Sequence, residues 1–420
     1  MYGHDAHAGN TGEMLLALLR AERAECARVP SLLAWDAVAA LALRHGVAQL
    51  LHRRLQAGPM LGALPPPLAD RLEEERRAIA LDNLRNYGEF GRVAHALRAA
   101  GIPLVALKGI HLAELVYRDI SMRPMSDIDI LVRQADLERA VVTLQRIGYG
   151  SEANIASAAA AMVGTKCNIG LAHRKREIWL ELHWALDEPR TGSTDPLPEI
   201  WCSALSASLG DAETLVMSPE FLLLHVCAHL ACNHNFAFSL RALCDIAEIV
   251  HVHPTIDWEA VVIHGCRHHW TRGVAAALRL ARDHLGVPVP EHVLAALGSN
   301  TLDPGLLADA IAQLLAATEL PEGLVTAPNL IALSGSKRLR EKAAMMWRRL
   351  FVPRAELALL YGVPRDSPRL PLYYAIRLRD LAQRYAAAAW ALNAGDPALA
   401  EVAARHVRLQ RWITGGPAHD

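Results

Sequence analysis

Residues 126–132 read SDIDILV, a pattern typical of a buried strand that carries two aspartates. Side chains alternate along a strand, so Asp127 and Asp129 point to one face while Ile128 and Ile130 fill the other. Two adjacent carboxylates repel each other and are costly to hold beside a core unless a cation lies between them. A hard divalent cation, Mg²⁺ or else Mn²⁺, suits such oxygen ligands. Two solvated aspartates at a strand edge are the alternative interpretation.

A second element lies upstream, where residues 104–109 read LVALKG. The apolar run Leu104–Leu107 predicts a short buried strand, and a helix follows from Gly109. The N–H groups at a helix start favour phosphate, and glycine lets the backbone approach closely. Lys108 can add a positive charge to the β- or γ-phosphate. An ordinary strand-to-helix turn has the same pattern.

Two further strands are predicted downstream, over Lys166–His173 and Ile178–Trp184. Alternation places Glu181 and His183 on one face of the second strand. If that strand lies beside the strand with the two aspartates, Glu181 completes a three-carboxylate cluster. Two metal ions about 3.5–4 Å apart can then clamp an in-line phosphoryl displacement. Alone, Glu181 equally fits the open face of an amphipathic strand.

Periodicity elsewhere is helical, so the sequence predicts an α+β fold with a small mixed sheet between helical regions. The linker Asp187–Pro198, DEPRTGSTDPLP, is rich in proline, glycine, serine and threonine and marks a boundary, beyond which every element reads as helical. The predicted division is residues 1–100, an N-terminal helical region; 101–190, the sheet unit; 191–350, a helical domain; and 351–420, a C-terminal helical extension.

Composition excludes several classes of protein. The 420 residues carry 43 Lys+Arg against 44 Asp+Glu, and 52% are hydrophobic, which argues against a largely disordered chain and against a basic field for nucleic acid. The chain has no long apolar run and no C-x-x-C pair among seven cysteines, and residues 1–14 do not have the basic start and apolar run typical of a secretory leader. We therefore expect a cytoplasmic protein without a membrane span.

Two other patterns each allow two interpretations. His225 and His229 lie at i, i+4 near Cys232 and His234, which indicates either a soft-metal site or histidines on a helix face. The basic stretches Arg338–Arg349 and Arg377–Arg384 are either solvated faces or contacts for RNA or an acidic partner. Nucleic acid is thus a less favoured partner that stays open.

Taken in order, these pieces resemble the nucleotidyltransferase fold of the DNA polymerase β superfamily, and more closely a bacterial branch, the uncharacterised nucleotidyltransferase family. Members of that branch read Leu-Lys-Gly, a Tyr and an Asp, then an Arg before Asp-h-Asp (h, hydrophobic), then Glu-Leu-His-Trp. The matching residues here are Leu107-Lys108-Gly109, Tyr117, Asp119, Arg123, Asp127-Ile128-Asp129 and Glu181-Leu182-His183-Trp184. The resemblance covers Gly101 to Leu186 strongly and continues more weakly to Trp258.

The resemblance implies a polymerase β-like palm that moves NMP from an NTP, ATP by default, to a hydroxyl of an unknown small-molecule, peptide or protein acceptor. Asp127 and Asp129 would ligate both metal ions, Mg²⁺ or Mn²⁺. Glu181 would ligate the catalytic one and orient or deprotonate the acceptor hydroxyl. Lys108 and the Gly109 turn would hold the triphosphate. Because this cluster is expected to face solvent, Asp129→Asn should remove transfer without unfolding the chain.

The resemblance leaves other roles open. Arg123 would neutralise charge on the phosphates or on Asp119, or would only brace the loop before the second strand. His183 would touch substrate or pack as a backbone-bonded histidine. Active members of the wider superfamily have Gly-Ser at the turn, where this chain has Gly109-Ile110. Without that hydroxyl, phosphate binding relies on backbone N–H groups, Lys108 and Arg123.

Two alternative functions follow from that departure and from the shared metal chemistry. One is a catalytically inactive module of the same fold that binds a nucleotide or a partner. The other is a kinase-like enzyme that transfers the γ-phosphate. The sequence has no P-loop and no G-x-S-x-G nucleophile turn, so neither alternative is a P-loop kinase or a serine hydrolase of that type.

Overall fold

A six-stranded mixed sheet organises the chain in the computed structural model. The structure describes residues 4–20, 32–57, 64–150, 155–187, 197–237, 239–298, 302–316, 347, 350–361, 363–364, 366–393 and 397–415. The strands are β1 (Leu104–Ala106), β2 (Ile128–Val132), β3 (Asn168–Ala172), β4 (Trp179–His183), β5 (Leu205–Leu209) and β6 (Ala212–Val216). They lie in the order β3-β4-β2-β1-β6-β5. Strand β2 runs antiparallel to β1 and parallel to β4, so the predicted mixed sheet is confirmed.

Helices precede, interrupt and follow the sheet. Before it lie α1 (His4–Leu19), α2 (Leu32–Arg44), α3 (Ala48–Ala57) and α4 (Pro66–Ala99). Between its strands lie α5 (Lys108–His111), which continues as a π-helical turn over Leu112–Val116, α6 (Leu137–Arg146), α7 (Ile155–Met162) and α8 (Leu197–Ser203). After it lie α9 (Pro219–Ala228), continued by a π-helical turn over His229–Asn233, α10 (Leu240–Val252), α11 (Trp258–Arg267), α12 (Thr271–Leu285), α13 (Glu291–Ala296), α14 (Pro304–Ala316), α15 (Arg354–Leu360), α16 (Leu370–Asn393) and α17 (Pro397–Ile413). None of the described helices combines the length and the apolar surface that crossing a lipid bilayer requires.

The sheet separates two apolar cores. On one face, Ile128 and Ile130 pack in a core with Phe90 of α4 and other residues of α4 and α6. On the other face, Leu131 belongs to a core that includes Leu222 of α9 and residues of α10. Since Asp129 has the same parity along β2 as Leu131, its side chain lies on the face toward α9 and α10.

The expectation that everything after the linker is helical is wrong. Strands β5 and β6 form a hairpin around Gly210, whose φ of +58° suits glycine in a tight turn. Strand β6 pairs in parallel with the edge of β1, opposite Val105 and Ala106. Local propensity does not predict this pairing, because β1 lies about a hundred residues upstream of β6. The sheet therefore extends beyond residue 190.

The helical pattern from Trp258 to Leu285 is divided between two helices, α11 and α12. The chain leaves α11 after Arg267, and His269 takes a left-handed φ of +59° before α12 begins. Residues 188–196 of the predicted linker lie outside the described residues, as does the Arg338–Arg349 stretch apart from Trp347.

Candidate active site

The register of β2 and β4 brings the predicted acids together. Asp129 is the direct neighbour of Glu181, and Leu131 is the neighbour of His183. Because neighbours in register share a face, Glu181 and His183 lie with Asp129 on the side toward α9 and α10. One ligand atom from each of Asp129, Glu181 and His183 lies within 4.8 Å of the others. The third acid is thus in place for the cluster that the sequence predicts.

Asp129 is buried, with 3% of its surface exposed, so the expectation of a solvent-facing carboxylate is wrong. Its Oδ1 accepts hydrogen bonds from Lys108 Nζ at 2.9 Å and from His183 Nε2 at 2.9 Å. Burial opposes ionisation of Asp129, but the cations Lys108 and His183 outweigh it and hold the pKa of this carboxyl well below its usual range. Asp129 is an anion clamped between two positive side chains.

His183 is the second half of this clamp. Burial opposes its charge, but hydrogen bonds to Asp129, Cys167 and Glu181 raise its pKa to about 10. Its Nε2 lies 3.3 Å from Glu181 Oε2 as well as 2.9 Å from Asp129 Oδ1. The side chain is therefore an imidazolium between two carboxylates, and its hydrogen-bond partners are side chains rather than the backbone alone.

Glu181 and Asp127 are less buried than Asp129. Glu181 Oε2 accepts a hydrogen bond from Asn168 Nδ2 at 2.9 Å. Asp127 immediately precedes β2, is only partly buried, and accepts a hydrogen bond from Ser126 Oγ at 3.0 Å. Burial is the largest cause that raises the pKa of Asp127, and the negative charges of Asp129 and Glu181 raise it further. An added cation would lower the energy of this crowded group of acids.

Lys108 connects the phosphate-type turn to the acids. It is the first residue of α5 and has a φ of +41°, a left-handed conformation that costs a non-glycine residue about 1 kcal/mol or more. The neighbouring Leu107 N–H donates to Asp129 O at 3.1 Å, which fixes the end of β1 against β2. Burial works against the ammonium charge, but Asp129, Glu181 and Asp127 together raise the Lys108 pKa.

Gly109 is needed for a close approach at this turn. A Cβ at this position would lie 2.8 Å from Met125 Cγ and Sδ and 3.2 Å from Arg123 Nη1. The next residue, Ile110, is fully buried in the core on the α4 side, so the position that holds serine elsewhere supplies packing here. The turn therefore presents backbone and Lys108 to the site, without a hydroxyl.

Arg123 makes a buried bidentate ion pair with Asp245 of α10. Its Nε and Nη2 lie 2.9 Å from the two Asp245 oxygens, and Tyr117 Oη donates to the same carboxylate at 2.9 Å. Asp119, one of the alternative partners considered for Arg123, instead accepts the Ser121 N–H at 2.9 Å. These contacts favour the bracing interpretation of Arg123, although its Nη1 still lies beside Gly109.

A cavity of about 350 Å³ lies between the acids and the helices that follow the sheet. Its lining includes every predicted site residue: Lys108, Gly109, Arg123, Asp127, Asp129 and Glu181. The opposite wall carries His225, His229 and His234, which the sequence presented as a motif of open meaning. Burial lowers the pKa of His225 to about 3 and that of His234 to about 4, so these imidazoles are neutral near pH 7.

Two residues of this site, Asn168 and Asp245, have no local signal in the sequence that identifies them as site residues. Asn168 takes its place opposite His183 on β3 through the register of the strands. Asp245 lay in the quoted helical follow-on, but nothing in the local sequence identifies its partner Arg123. His225 was visible as a motif, and its buried Nε2 has no hydrogen-bond partner among the described residues.

The donor set fits a hard divalent cation. Within the described part of the chain, Asp129 Oδ2 and Glu181 Oε1 take no hydrogen bond, so each acid keeps one oxygen for another ligand. Partly exposed Asp127 adds a third carboxylate beside them. Carboxylate oxygens of this kind are the ligands that Mg²⁺ and Mn²⁺ prefer, and Lys108 lies where phosphate oxygens would complete the shell.

Comparison with known proteins agrees with this geometry. No curated protein matches the chain significantly. The model of a family described as uncharacterised nucleotidyltransferase matches residues 31–286, which is more than half of the chain. The match spans the sheet, the three acids, α10 and the cavity histidines His225, His229 and His234. The chain therefore belongs to the uncharacterised nucleotidyltransferase family.

Proposed function

We propose that this protein transfers NMP from an NTP, with ATP as the first candidate, to a hydroxyl group of an acceptor, and that pyrophosphate leaves. The observation that carries the proposal is the convergence of Asp127, Asp129 and Glu181 on one face beside Lys108. A bound Mg²⁺ or Mn²⁺ would supply Lewis-acid stabilisation of the phosphate oxygens. Such chemistry depends on positioning and charge neutralisation, and needs no covalent nucleophile.

The chain's own residues supply binding, orientation and a proton acceptor. The backbone N–H groups after Lys108 and its ammonium would hold the β- and γ-phosphates. The acceptor oxygen forms a bond to the α-phosphorus while the bond from that phosphorus to pyrophosphate breaks. Glu181, with its second oxygen free of hydrogen bonds from the described residues, would orient the acceptor hydroxyl and take its proton. Arg123 would keep the loop before β2 in place through Asp245.

Labelled ATP separates this reaction from its alternatives. The purified chain is incubated with Mg²⁺ or Mn²⁺ and with either α-³²P-ATP or γ-³²P-ATP. The candidate acceptors are the hydroxyl groups of the chain itself, glycerol and other small hydroxyl compounds. Transfer of the α label with release of pyrophosphate supports nucleotidyl transfer. Transfer of the γ label alone shows a kinase-like enzyme. Tight ATP binding with neither label transferred favours the inactive binding module, for which Ile110 at the turn is the specific observation.

A matched pair of variants shows whether any transfer belongs to this site. Asp127→Asn removes one acid of the cluster. Asp82→Asn makes the same chemical change on the exposed face of α4, where the carboxylate pairs with Arg85 at 3.0 Å. Label transfer must be lost in the first variant and retained in the second. Equal transfer by both variants would place the activity elsewhere or in a contaminant.

A further inference from the structure

A second set of metal-ligand side chains lies outside the cavity, between α8 and α11. Glu199 belongs to α8, while His264 and His268 lie one helical turn apart at the end of α11. One ligand atom from each of the three lies within 4.8 Å of the others. The two imidazole rings are parallel to within 2°, with centroids 6.1 Å apart, so both present the same side of the helix to Glu199.

The spacing of these atoms suits a coordination shell. His268 Nε2 lies 3.6 Å from Glu199 Oε2, which is longer than an ordinary hydrogen bond. With metal–ligand bonds of about 2.0–2.1 Å, two ligands of a tetrahedral ion lie about 3.3 Å apart. The pair is therefore already near the separation that a small ion between them would impose.

Burial and outer contacts also favour a preformed site. The His268 side chain is 1% exposed, and His264 Nδ1 is buried without a hydrogen-bond partner among the described residues. Glu199 Oε1 accepts a hydrogen bond from Arg267 Nη1 at 2.8 Å. That contact leaves Oε2 turned toward His268 and fixes the carboxylate, as outer hydrogen bonds do around metal ligands.

We propose that Glu199, His264 and His268 bind a divalent transition-metal ion of the zinc class, with solvent as the fourth ligand. Two imidazoles and one carboxylate favour Zn²⁺ over Mg²⁺, whereas the acids of the cavity have the opposite preference. The bound ion ties α8 to α11. Because α8 leads directly into β5, the ion holds the β5–β6 hairpin against the helices that follow the sheet.

The test is Zn²⁺ binding by the full chain, freed of metal with a chelator and followed by calorimetry. Glu181→Gln serves as the parent variant, because it weakens the cavity cluster, which also contains a histidine. We expect one equivalent of Zn²⁺ to bind the parent. Adding Glu199→Gln or His268→Gln to the parent should weaken this binding by at least about 100-fold. His251→Gln, an exposed histidine on α10, is the matched control and should leave it unchanged.

Co²⁺ and thermal unfolding give independent readouts. The parent should show the visible absorption of four-coordinate Co²⁺ and a Zn²⁺-dependent rise in Tm, and both should be absent after Glu199→Gln. His264→Gln, at a half-buried position, provides a ligand deletion should His268→Gln fail to fold, which circular dichroism reports. Zn²⁺ binding that is equal in the parent and in all three ligand deletions, or absent from the parent, would overturn the proposal. None of these readouts depends on nucleotidyl transfer.

Discussion

At the scale of single residues, the two aspartates of β2 differ in what surrounds them. Asp129 is buried and binds Lys108 and His183, while Asp127 is partly exposed and bonds only Ser126 among the described residues. Removing one partner of a buried ion pair leaves an uncompensated charge, whereas removing a crowded, partly exposed acid relieves repulsion. The same Asp→Asn substitution therefore has different consequences at two positions two residues apart.

We predict that Asp127→Asn abolishes transfer while changing the free energy of unfolding by less than about 1 kcal/mol. Asp129→Asn should abolish transfer and also lower the free energy of unfolding by about 3–5 kcal/mol, because two buried cations lose their anion. Urea unfolding followed by circular dichroism measures both. Equal stability of the two variants would mean that the Lys108–Asp129–His183 cluster contributes nothing to the fold.

His225 provides a different residue-scale prediction, because the residue lines the cavity and its buried Nε2 has no hydrogen-bond partner among the described residues. Leaving a buried polar atom without a hydrogen bond costs about 1–3 kcal/mol, so stability alone does not explain a histidine at this position. We expect His225→Leu to keep or raise the Tm and to lower label transfer by about tenfold or more, since the lining of the cavity loses an imidazole. Parallel loss of Tm and activity would show that the imidazole only fills space.

At the scale of elements, the loop before β2 is attached to α10 by one buried cluster. Arg123 and Tyr117 both bind Asp245, and the Asn83 Nδ2 of α4 donates to Arg123 O at 2.8 Å. The helices α4 and α10 thus hold the loop from both sides of the sheet. This attachment keeps Asp127 at the start of β2 pointed at the cavity.

We predict that Asp245→Asn lowers the free energy of unfolding by about 3–5 kcal/mol, because it leaves the Arg123 guanidinium buried and unpaired. Adding Arg123→Met to that variant should recover part of the loss, since the isolated charge is then removed. Urea unfolding of the two single variants and the double variant gives the coupling energy between the residues.

The double variant also decides between the two roles of Arg123. If the side chain only braces the loop, the folded double variant keeps the wild-type affinity for a fluorescent ATP analogue within about threefold, whereas loss of a phosphate contact costs about tenfold or more. The exposed pair Arg85–Asp82 is the matched control, because surface pairs contribute about 0–1 kcal/mol. Their Met and Asn replacements should leave stability and affinity unchanged.

The elements also show how far a single sequence can be interpreted. Period-two alternation was enough to place Asp127 and Asp129 on one face of β2 and Glu181 on one face of β4, and apolar runs were enough to locate these strands and β1. That the two faces meet depends on the pairing of β2 with β4, which alternation does not predict. Burial of Asp129 could not be predicted, because it depends on α9 and α10 covering that face. The partner of Arg123 lies 122 residues away in the sequence, and β6 pairs with β1 across a similar distance, so neither leaves a local pattern.

At the scale of the whole molecule, burial holds several histidines neutral, both in the protein interior and in the lining of the cavity. Burial lowers the pKa of His45 to about 4 and those of His111 and His225 to about 3, against 6.5 for an exposed histidine. A histidine whose pKa is lowered by folding takes up its proton earlier in the unfolded chain. Unfolding is therefore favoured as the pH falls below the unfolded value, and the effect continues until the folded value is reached.

We predict that the free energy of unfolding falls as the pH is lowered from about 6.5 to about 4.5, with each such histidine contributing up to about 1.4 kcal/mol per pH unit. His183 does not oppose this trend, because its folded pKa is about 10 and it is protonated in both states below 6.5. Urea unfolding across this range, with a chelator present, measures the slope. His111→Gln should reduce the slope by about one proton. A stability that stays flat down to pH 4.5 would mean that these imidazoles reach solvent in the folded protein.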